Sequence, residues 1–184
     1  LLSKTLLDAD AVHDPSCLLD DLEAHAEGLL HLSGGALAGF VGAPAGDDRP
    51  TLAATRADRQ AAIFGDRFYI ELQRHGLGIE RTAEPHLLEI ADRLNLPLVA
   101  TNDCRFEDAA MSQPHDTLVC IGTGRKFSET NRPRFSPEHY FKTAAQMSEL
   151  FQDIPEAISN TLVIAKRCST MARQRDPILP PFES

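Results

Sequence analysis

The chain has 184 residues, which is enough for one sizeable domain, and a net charge of −9 from 18 Lys and Arg against 27 Asp and Glu. The hydrophobic and charged fractions, 42% and 24%, are ordinary for a globular protein, and no apolar run is long enough to cross a bilayer. We therefore expect no membrane span and no broad nucleic-acid-binding surface, because such a surface needs an excess of Lys and Arg.

Helical and strand patterns alternate along the first hundred residues, and the pattern is mainly helical after residue 107. Asp14 and Pro15 are suited to the N-cap and first position of the first helix, and strand 67–76 is rich in aromatic and β-branched residues. The predicted elements in chain order are a helix over 14–27, a strand over 29–35, an irregular connection over 36–50, a helix over 51–64, a strand over 67–76, a helix over 81–95, a strand over 97–101, a helix over 111–124, an extended piece and helix within 136–152, and a helix over 153–168 with Asp153 as its N-cap.

This alternation of helices with short apolar strands is typical of a parallel sheet or barrel, so the predicted fold class is α/β with parallel strands and outer helices. The four cysteines lie far apart without a CxxC pair, which favours reduced cytoplasmic thiols over a zinc site or a disulfide framework. The chain begins without Met and without a signal-peptide pattern. We therefore expect a cytoplasmic segment of a longer protein.

One segment departs from the acidic composition. Residues 125–135, RKFSETNRPRF, contain four of the 18 Lys and Arg residues of the chain. A solvated basic loop is one interpretation, and contact with DNA or a partner is another.

Polar residues follow three of the predicted strands, and the carboxyl ends of parallel strands lie at one rim. Asp103 and Arg105 have the i, i+2 spacing of a ligand pair, but a guanidinium has no lone pair for a metal. We expect Arg105 to form an ion pair with Asp103 in the volume that a metal would take. Cys104 is expected to face the packed side, and His75 to act as a ligand, a base or a structural hydrogen-bonding group.

No GxSxG elbow, GxGxxG loop or GxxxxGK[ST] loop occurs in the sequence, and the carboxylates show no focused pairing. The sequence does contain six motifs in an order and spacing that resemble the amino-terminal region of the bacterial replicative DNA polymerase III alpha subunit. The resemblance covers nearly the whole chain and is least close over 36–50. The motifs are AHAEGLLHLSGG, FYIELQRHG, LPLVATNDCRF, HDTLVCIGTG, the stretch from RPRF to AKRC, and ILPPFES.

The resemblance implies the later part of a distorted (β/α)₇ barrel, the PHP (polymerase and histidinol phosphatase) domain, over 1–168, followed by a linker over 169–184 toward an absent palm domain. Most metal positions of that family lie upstream. Three lie inside this chain, and they map to Gly35, Asp103 and Arg105. Only Asp103 keeps a ligand type, so we expect a degenerate metal site, with His75 and Asn102 as neighbouring candidates.

The family further implies a parent protein that makes DNA by template-directed nucleotidyl transfer, with Mg²⁺ held by the absent palm. This segment is then expected to hold no cofactor and to perform no catalysis. Its implied role is a scaffold that supports the palm and docks the proofreading exonuclease subunit, alongside other replicase subunits, with weak or no DNA binding of its own.

Two alternatives stay open. A stand-alone PHP metal-dependent phosphoesterase would use His75 and Asp103, but it is opposed by Gly35 and Arg105. A pure interaction module would differ from the scaffold only if the gene lacked a polymerase core. An incomplete barrel would also expose unpaired strand edges, so we expect the isolated chain to self-associate.

Overall fold

The computed structural model describes residues 16–171 and residue 174, and its centre is a three-stranded parallel sheet. The strands are ordered β1-β2-β3, with His31 opposite Phe68 and Leu72 opposite Ala100. A mixed α/β fold with a parallel sheet is what the alternating pattern predicts. The strands are β1 (His31–Leu32), β2 (Phe68–Leu72) and β3 (Leu98–Ala100).

Seven helices accompany these strands in the described part of the chain. They are α1 (Leu19–Ala24), α2 (Gly42–Gly46), α3 (Pro50–Phe64), α4 (Gly78–Leu94), α5 (Ser112–Thr123), α6 (Ala144–Leu150) and α7 (Pro155–Arg167), with short 3₁₀ turns at Gly65–Arg67, Ala109–Met111 and Pro137–His139. None of these helices combines the length and apolarity of a membrane span.

The central strand β2 is buried on both faces, as expected for the middle of a parallel sheet. Phe68, Ile70 and Leu72 are almost fully buried, and they pack with core side chains such as Phe64 and Phe151. Helices α3 and α4 flank the sheet and contribute small residues to the same core. This core fixes the carboxyl ends of the three strands at one rim.

Helix α7 packs against β3 and closes its outer edge. The Pro97 carbonyl accepts a hydrogen bond from Ile70 of β2, so the next carbonyl, that of Leu98, faces away from β2. The Asn160 side-chain amide donates to this Leu98 carbonyl at 2.7 Å. Within the described residues β1 has no strand on its other side.

Several predicted boundaries are wrong. The first helix covers only Leu19–Ala24, and its predicted cap, Asp14, lies outside the described residues. The strand predicted over 29–35 is reduced to two residues, because the backbone turns at Gly34, where φ is +78°. The connection over 36–50 contains helix α2.

The last helix begins at Pro155 with Ile154 as its N-cap. The Asp153 side chain does not cap the helix, because it is engaged by the Arg74 guanidinium. Most of the predicted linker, 169–184, lies outside the described residues.

Candidate functional site

The carboxyl ends of the three strands meet at one rim, as the sequence predicts. The Ser33 hydroxyl accepts a hydrogen bond from the Glu71 backbone N–H at 2.8 Å. The Gln73 amide donates to the Glu71 carboxylate and to the Thr101 hydroxyl, both at 3.1 Å, and Thr101 also bonds Glu71. Polar side chains from all three strands thus form one continuous hydrogen-bond network.

Gly35 lies directly against this network. A Cβ atom at Gly35 would come within 2.0 Å of the Gln73 Oε1 atom. Because Gln73 is held by Glu71 and Thr101, it occupies the space that a side chain at position 35 would need. The space beside Gly35 is therefore filled by a neighbouring amide.

His75 lies at the centre of a second cluster, which is buried at the end of β2. His75 itself is only 2% exposed. Its Nδ1 atom lies 2.6 Å from Glu80 Oε1, and its Nε2 atom lies 3.0 Å from Asn102 Oδ1. The His75 ring stacks on the His139 ring with centroids 3.9 Å apart. We call His75, Glu80, Asn102, Ser136 and His139 the His75 cluster.

Both ring nitrogens of His75 are occupied by protein partners. The backbone N–H of Asp103 donates to Nε2 at 3.2 Å, and Asn102 Oδ1 contacts the same nitrogen. A protonated Nε2 donates to Asn102 and has no free lone pair, whereas an unprotonated Nε2 uses its lone pair to accept from Asp103. In neither state can Nε2 bind a metal. His75 therefore has the contacts of a structural hydrogen-bonding residue.

Glu80 holds the start of helix α4 in place. One carboxylate oxygen accepts the backbone N–H groups of His75 at 2.7 Å and Leu77 at 3.0 Å, and the other contacts the His75 ring. Burial by itself raises the pKa of the Glu80 carboxyl, but the hydrogen bonds from His75 and Leu77 outweigh burial and lower the pKa below its usual value.

His139 and Ser136 complete the cluster from the other side. The Ser136 hydroxyl donates to the His75 carbonyl at 2.7 Å, and it also lies 3.1 Å from His139 Nδ1. Because the same hydroxyl caps a 3₁₀ turn by accepting the Glu138 N–H, Ser136 has a structural role and not that of a nucleophile. Burial first, and the neighbouring His75 second, lower the pKa of His139.

Asp103 and Arg105 form the ion pair that their spacing predicts. Asp103 Oδ2 accepts from Arg105 Nε at 3.0 Å and from Nη2 at 2.8 Å. The guanidinium also lies over the Phe135 ring, 4.7 Å from its centroid. The prediction that Cys104 packs inward is wrong, because its side chain is exposed.

These residues do not fit a metal centre. One carboxylate oxygen of Asp103 is bound by the Arg105 guanidinium, and Gly35 has no side chain that could bind a metal. Both ring nitrogens of His75 contact protein groups. In the part of the chain that the structure describes, no group of three or more His, Cys, Asp or Glu residues is placed to hold a metal.

Three members of the His75 cluster were missed by sequence reasoning. The signal for Glu80 was present, because an acidic side chain at the third position of a helix commonly accepts the N-cap backbone N–H. Ser136 precedes Pro137, which is also a helix-start pattern. Nothing in the sequence placed His139 against His75, which is 64 positions earlier.

Arg74 lies between Gln73 and His75 just beyond the end of β2. Its hydrogen-bond partners belong neither to the network around Gln73 nor to the His75 cluster. It makes paired hydrogen bonds to the Glu84 and Asp153 carboxylates and donates to the Leu150 carbonyl. The two carboxylates raise the pKa of Arg74 further above its usual value. Arg74 thus joins α4 to the segment between α6 and α7.

No protein-family model matches the chain. DNA polymerase III subunit alpha of Caulobacter vibrioides (strain NA1000 / CB15N) is 43% identical over 182 residues, which cover 99% of this chain and 16% of the relative. The same subunit of Vibrio cholerae serotype O1 is 36% identical over 189 residues, again covering 99% and 16%. That of Treponema pallidum (strain Nichols) is 40% identical over 164 residues, covering 88% and 14%.

The chain thus spans about 14 to 16% of the length of these curated relatives. Over nearly its whole length it is homologous to a segment of their sequence, which confirms the resemblance carried by its motifs.

Proposed function

We propose, from its homology to a segment of DNA polymerase III subunit alpha, that this chain is the later part of the PHP domain of such a subunit. The parallel sheet with helices on its flanks supports part of a (β/α)₇ barrel, with 1–168 as the domain segment and 169–184 as the linker toward the palm. The parent protein then carries out template-directed DNA synthesis during replication in the cytoplasm, with Mg²⁺ bound in the palm.

The segment itself acts as a scaffold without catalysis. The observation that carries this proposal is the Asp103–Arg105 ion pair, because a guanidinium replaces the second ligand and repels a cation. The amide of Gln73 beside Gly35 supports the same conclusion. Loss of even one ligand lowers metal affinity strongly, so two losses should abolish binding.

As a scaffold, the segment supports the palm and docks the proofreading exonuclease subunit, next to the other subunits of the replicase. The stand-alone phosphoesterase is the competing function. It would need His75 and Asp103 as metal ligands, and both are committed to protein partners.

Primer extension by the full-length gene product tests the parent activity. We expect template-dependent extension with Mg²⁺ and the four deoxynucleotides, and we expect Asp103→Ala to leave the extension rate within about twofold of the unmodified protein. A reading frame without a polymerase core, whose product hydrolyses a small phosphomonoester instead, would overturn the proposal in favour of the phosphoesterase.

A further inference from the structure

A half-open cleft of about 350 Å³ lies between the turn at Ala109–Met111, the start of α5 and the basic segment 125–135. Its volume is near the lower end of the range for small-molecule sites, roughly 300–1,000 Å³, and suits a single nucleotide. We call it the Phe127 cleft. Its lining includes Gln113, Asp116, Phe127, Arg134, Phe135 and Pro137.

The cleft borders the most basic segment of an acidic chain. Residues 125–135 carry a net charge of +3, from four cations against Glu129, while the whole chain has a net charge of −9. Arg125 is paired with Glu129, whereas the Arg134 guanidinium donates only to the Glu129 main-chain carbonyl and has no carboxylate partner within the described residues. Arg134 therefore forms no ion pair within the described residues, although its charge also lowers the pKa of the nearby Asp116 carboxyl.

The acidic residue in the lining is already neutralised. The Asp116 carboxylate accepts hydrogen bonds from both terminal nitrogens of Arg132, whose side chain is only 2% exposed. The hydrogen bonds from Arg132 lower the pKa of Asp116, and the charges of Arg132 and Arg134 lower it further. Asp116, Arg132 and Arg134 together carry a net charge of +1, which favours an anion at the cleft.

Two aromatic rings belong to the apolar part of the lining, and each has a cation on one face. The Arg132 guanidinium lies 5.0 Å from the Phe127 centroid, and that of Arg105 lies 4.7 Å from the Phe135 centroid. Phe127 nevertheless remains 54% exposed. An exposed ring beside an unpaired Arg provides a stacking surface next to a phosphate-binding group.

We propose that the Phe127 cleft binds single-stranded DNA, with one base stacked on Phe127 and a phosphate held by Arg134. A duplex would not enter, because the cleft holds one base and paired bases are stacked inside the helix. An acidic peptide would use Arg134 but would leave the aromatic surface without a partner. The preference for DNA over RNA rests on the proposed function, while the stacking and charge arguments stand without it.

Photo-crosslinking tests the proposal on the full-length gene product. A thymidine oligonucleotide with one 5-iododeoxyuridine is irradiated with the protein over a range of oligonucleotide concentrations, and the adducts are located by peptide mass spectrometry. We expect adducts on Phe127 or Phe135. Phe127→Leu, which keeps an apolar cover on Arg132, should weaken binding at this site about 5- to 150-fold.

Matched variants separate the two contacts. Arg134→Ala should lower the slope of log affinity against log salt by about 0.7, as for one lost phosphate contact on a single strand. Phe141→Ala and Arg81→Ala serve as controls, because Phe141 is 69% exposed outside the cleft lining and Arg81, like Arg134, is exposed and donates to one main-chain carbonyl. Both controls should crosslink as the unmodified protein does.

Adducts confined to other parts of the protein would overturn the proposal, as would equal competition by an acidic peptide of the same charge. Primer extension measured on the same preparation keeps the two proposals apart. Extension without adducts in the cleft would reject this site alone, and adducts without extension would reject the polymerase function alone.

Discussion

Gln73 occupies the volume beside Gly35, and this contact gives the first prediction at the residue scale. Gly35→Ala should lower the free energy of unfolding by about 1–3 kcal/mol, because the new Cβ displaces the Gln73 amide from Glu71 and Thr101. Adding Gln73→Ala to Gly35→Ala should lower the free energy of unfolding only a little further, since the hydrogen bonds of Gln73 are already lost. Urea denaturation of the single and double variants measures this coupling.

Gly42 provides the matched control for that experiment. A Cβ at Gly42 would lie 2.3 Å from the Gly34 carbonyl oxygen, so Gly42→Ala meets backbone that no side-chain change can move. Its loss of stability should be the same with and without Gln73→Ala. Strictly additive effects of Gly35→Ala and Gln73→Ala would contradict the assignment of Gln73 as the blocking group.

The stacked His75–His139 pair predicts a pH dependence. Burial and the neighbouring His75 lower the pKa of His139 in the folded state, so the unfolded chain binds more protons as the pH falls below the usual value of 6.5. The stability contributed by neutral His139 is complete above that pH and is lost below it. His139→Phe keeps a ring on His75 and should lose less stability between pH 7.5 and 5.5 in thermal unfolding; parallel curves would contradict this.

Residue chemistry alone was sufficient to predict the Asp103–Arg105 ion pair, because the spacing places both side chains on one side of an extended segment and their charges are opposite. It was not sufficient to predict the surroundings of His75. Glu80 lies close in sequence and its role follows from helix-start chemistry, whereas His139 reaches His75 only through the packing of the 3₁₀ turn that Ser136 caps. Contacts of that kind depend on the tertiary fold.

At the scale of elements, Arg74 connects α4 to the segment between α6 and α7. Arg74→Met should lower the free energy of unfolding by about 2–4 kcal/mol, because it leaves the Glu84 and Asp153 carboxylates side by side without a cation. Asp153→Asn should cost only about 1 kcal/mol, since Asp153 is half exposed and Glu84 keeps its pair with Arg74. Equal losses in guanidinium denaturation would contradict this division of roles.

Apart from helix α2, which lies in the predicted irregular connection, the order and type of the main elements could be predicted from the sequence, because apolar periodicity differs between buried strands and amphipathic helices. The boundaries could not. The strand at His31 stops after two residues because the chain must turn where Gly39 and Gly42 closely approach Gly34, and the apolar pattern does not record this approach. Asp153 looked like a helix cap by local chemistry, but a tertiary partner, Arg74, engages it.

At the scale of the whole molecule, the two outer strands of the sheet differ. Helix α7 and the Asn160 amide close the outer edge of β3, while β1 has no further strand beside it within the described residues. An open edge can pair with a second copy, so we expect the purified 184-residue chain to self-associate. Sedimentation velocity at rising concentration should show dimers or larger species, and a monomer at all concentrations would contradict this expectation.

The central claim at this scale is that the segment is a scaffold without catalysis. It depends on the contacts that Asp103 makes with Arg105 and His75 makes with Glu80 and Asn102, because these contacts leave neither residue free to bind a metal. The direct measurement incubates the purified chain with Mn²⁺ or Zn²⁺ and labelled single-stranded DNA, then determines bound metal by mass spectrometry and cleavage by gel electrophoresis. We expect less than stoichiometric metal and no more cleavage than the metal ions produce without the protein. Stoichiometric metal together with cleavage that Asp103→Ala abolishes would contradict it.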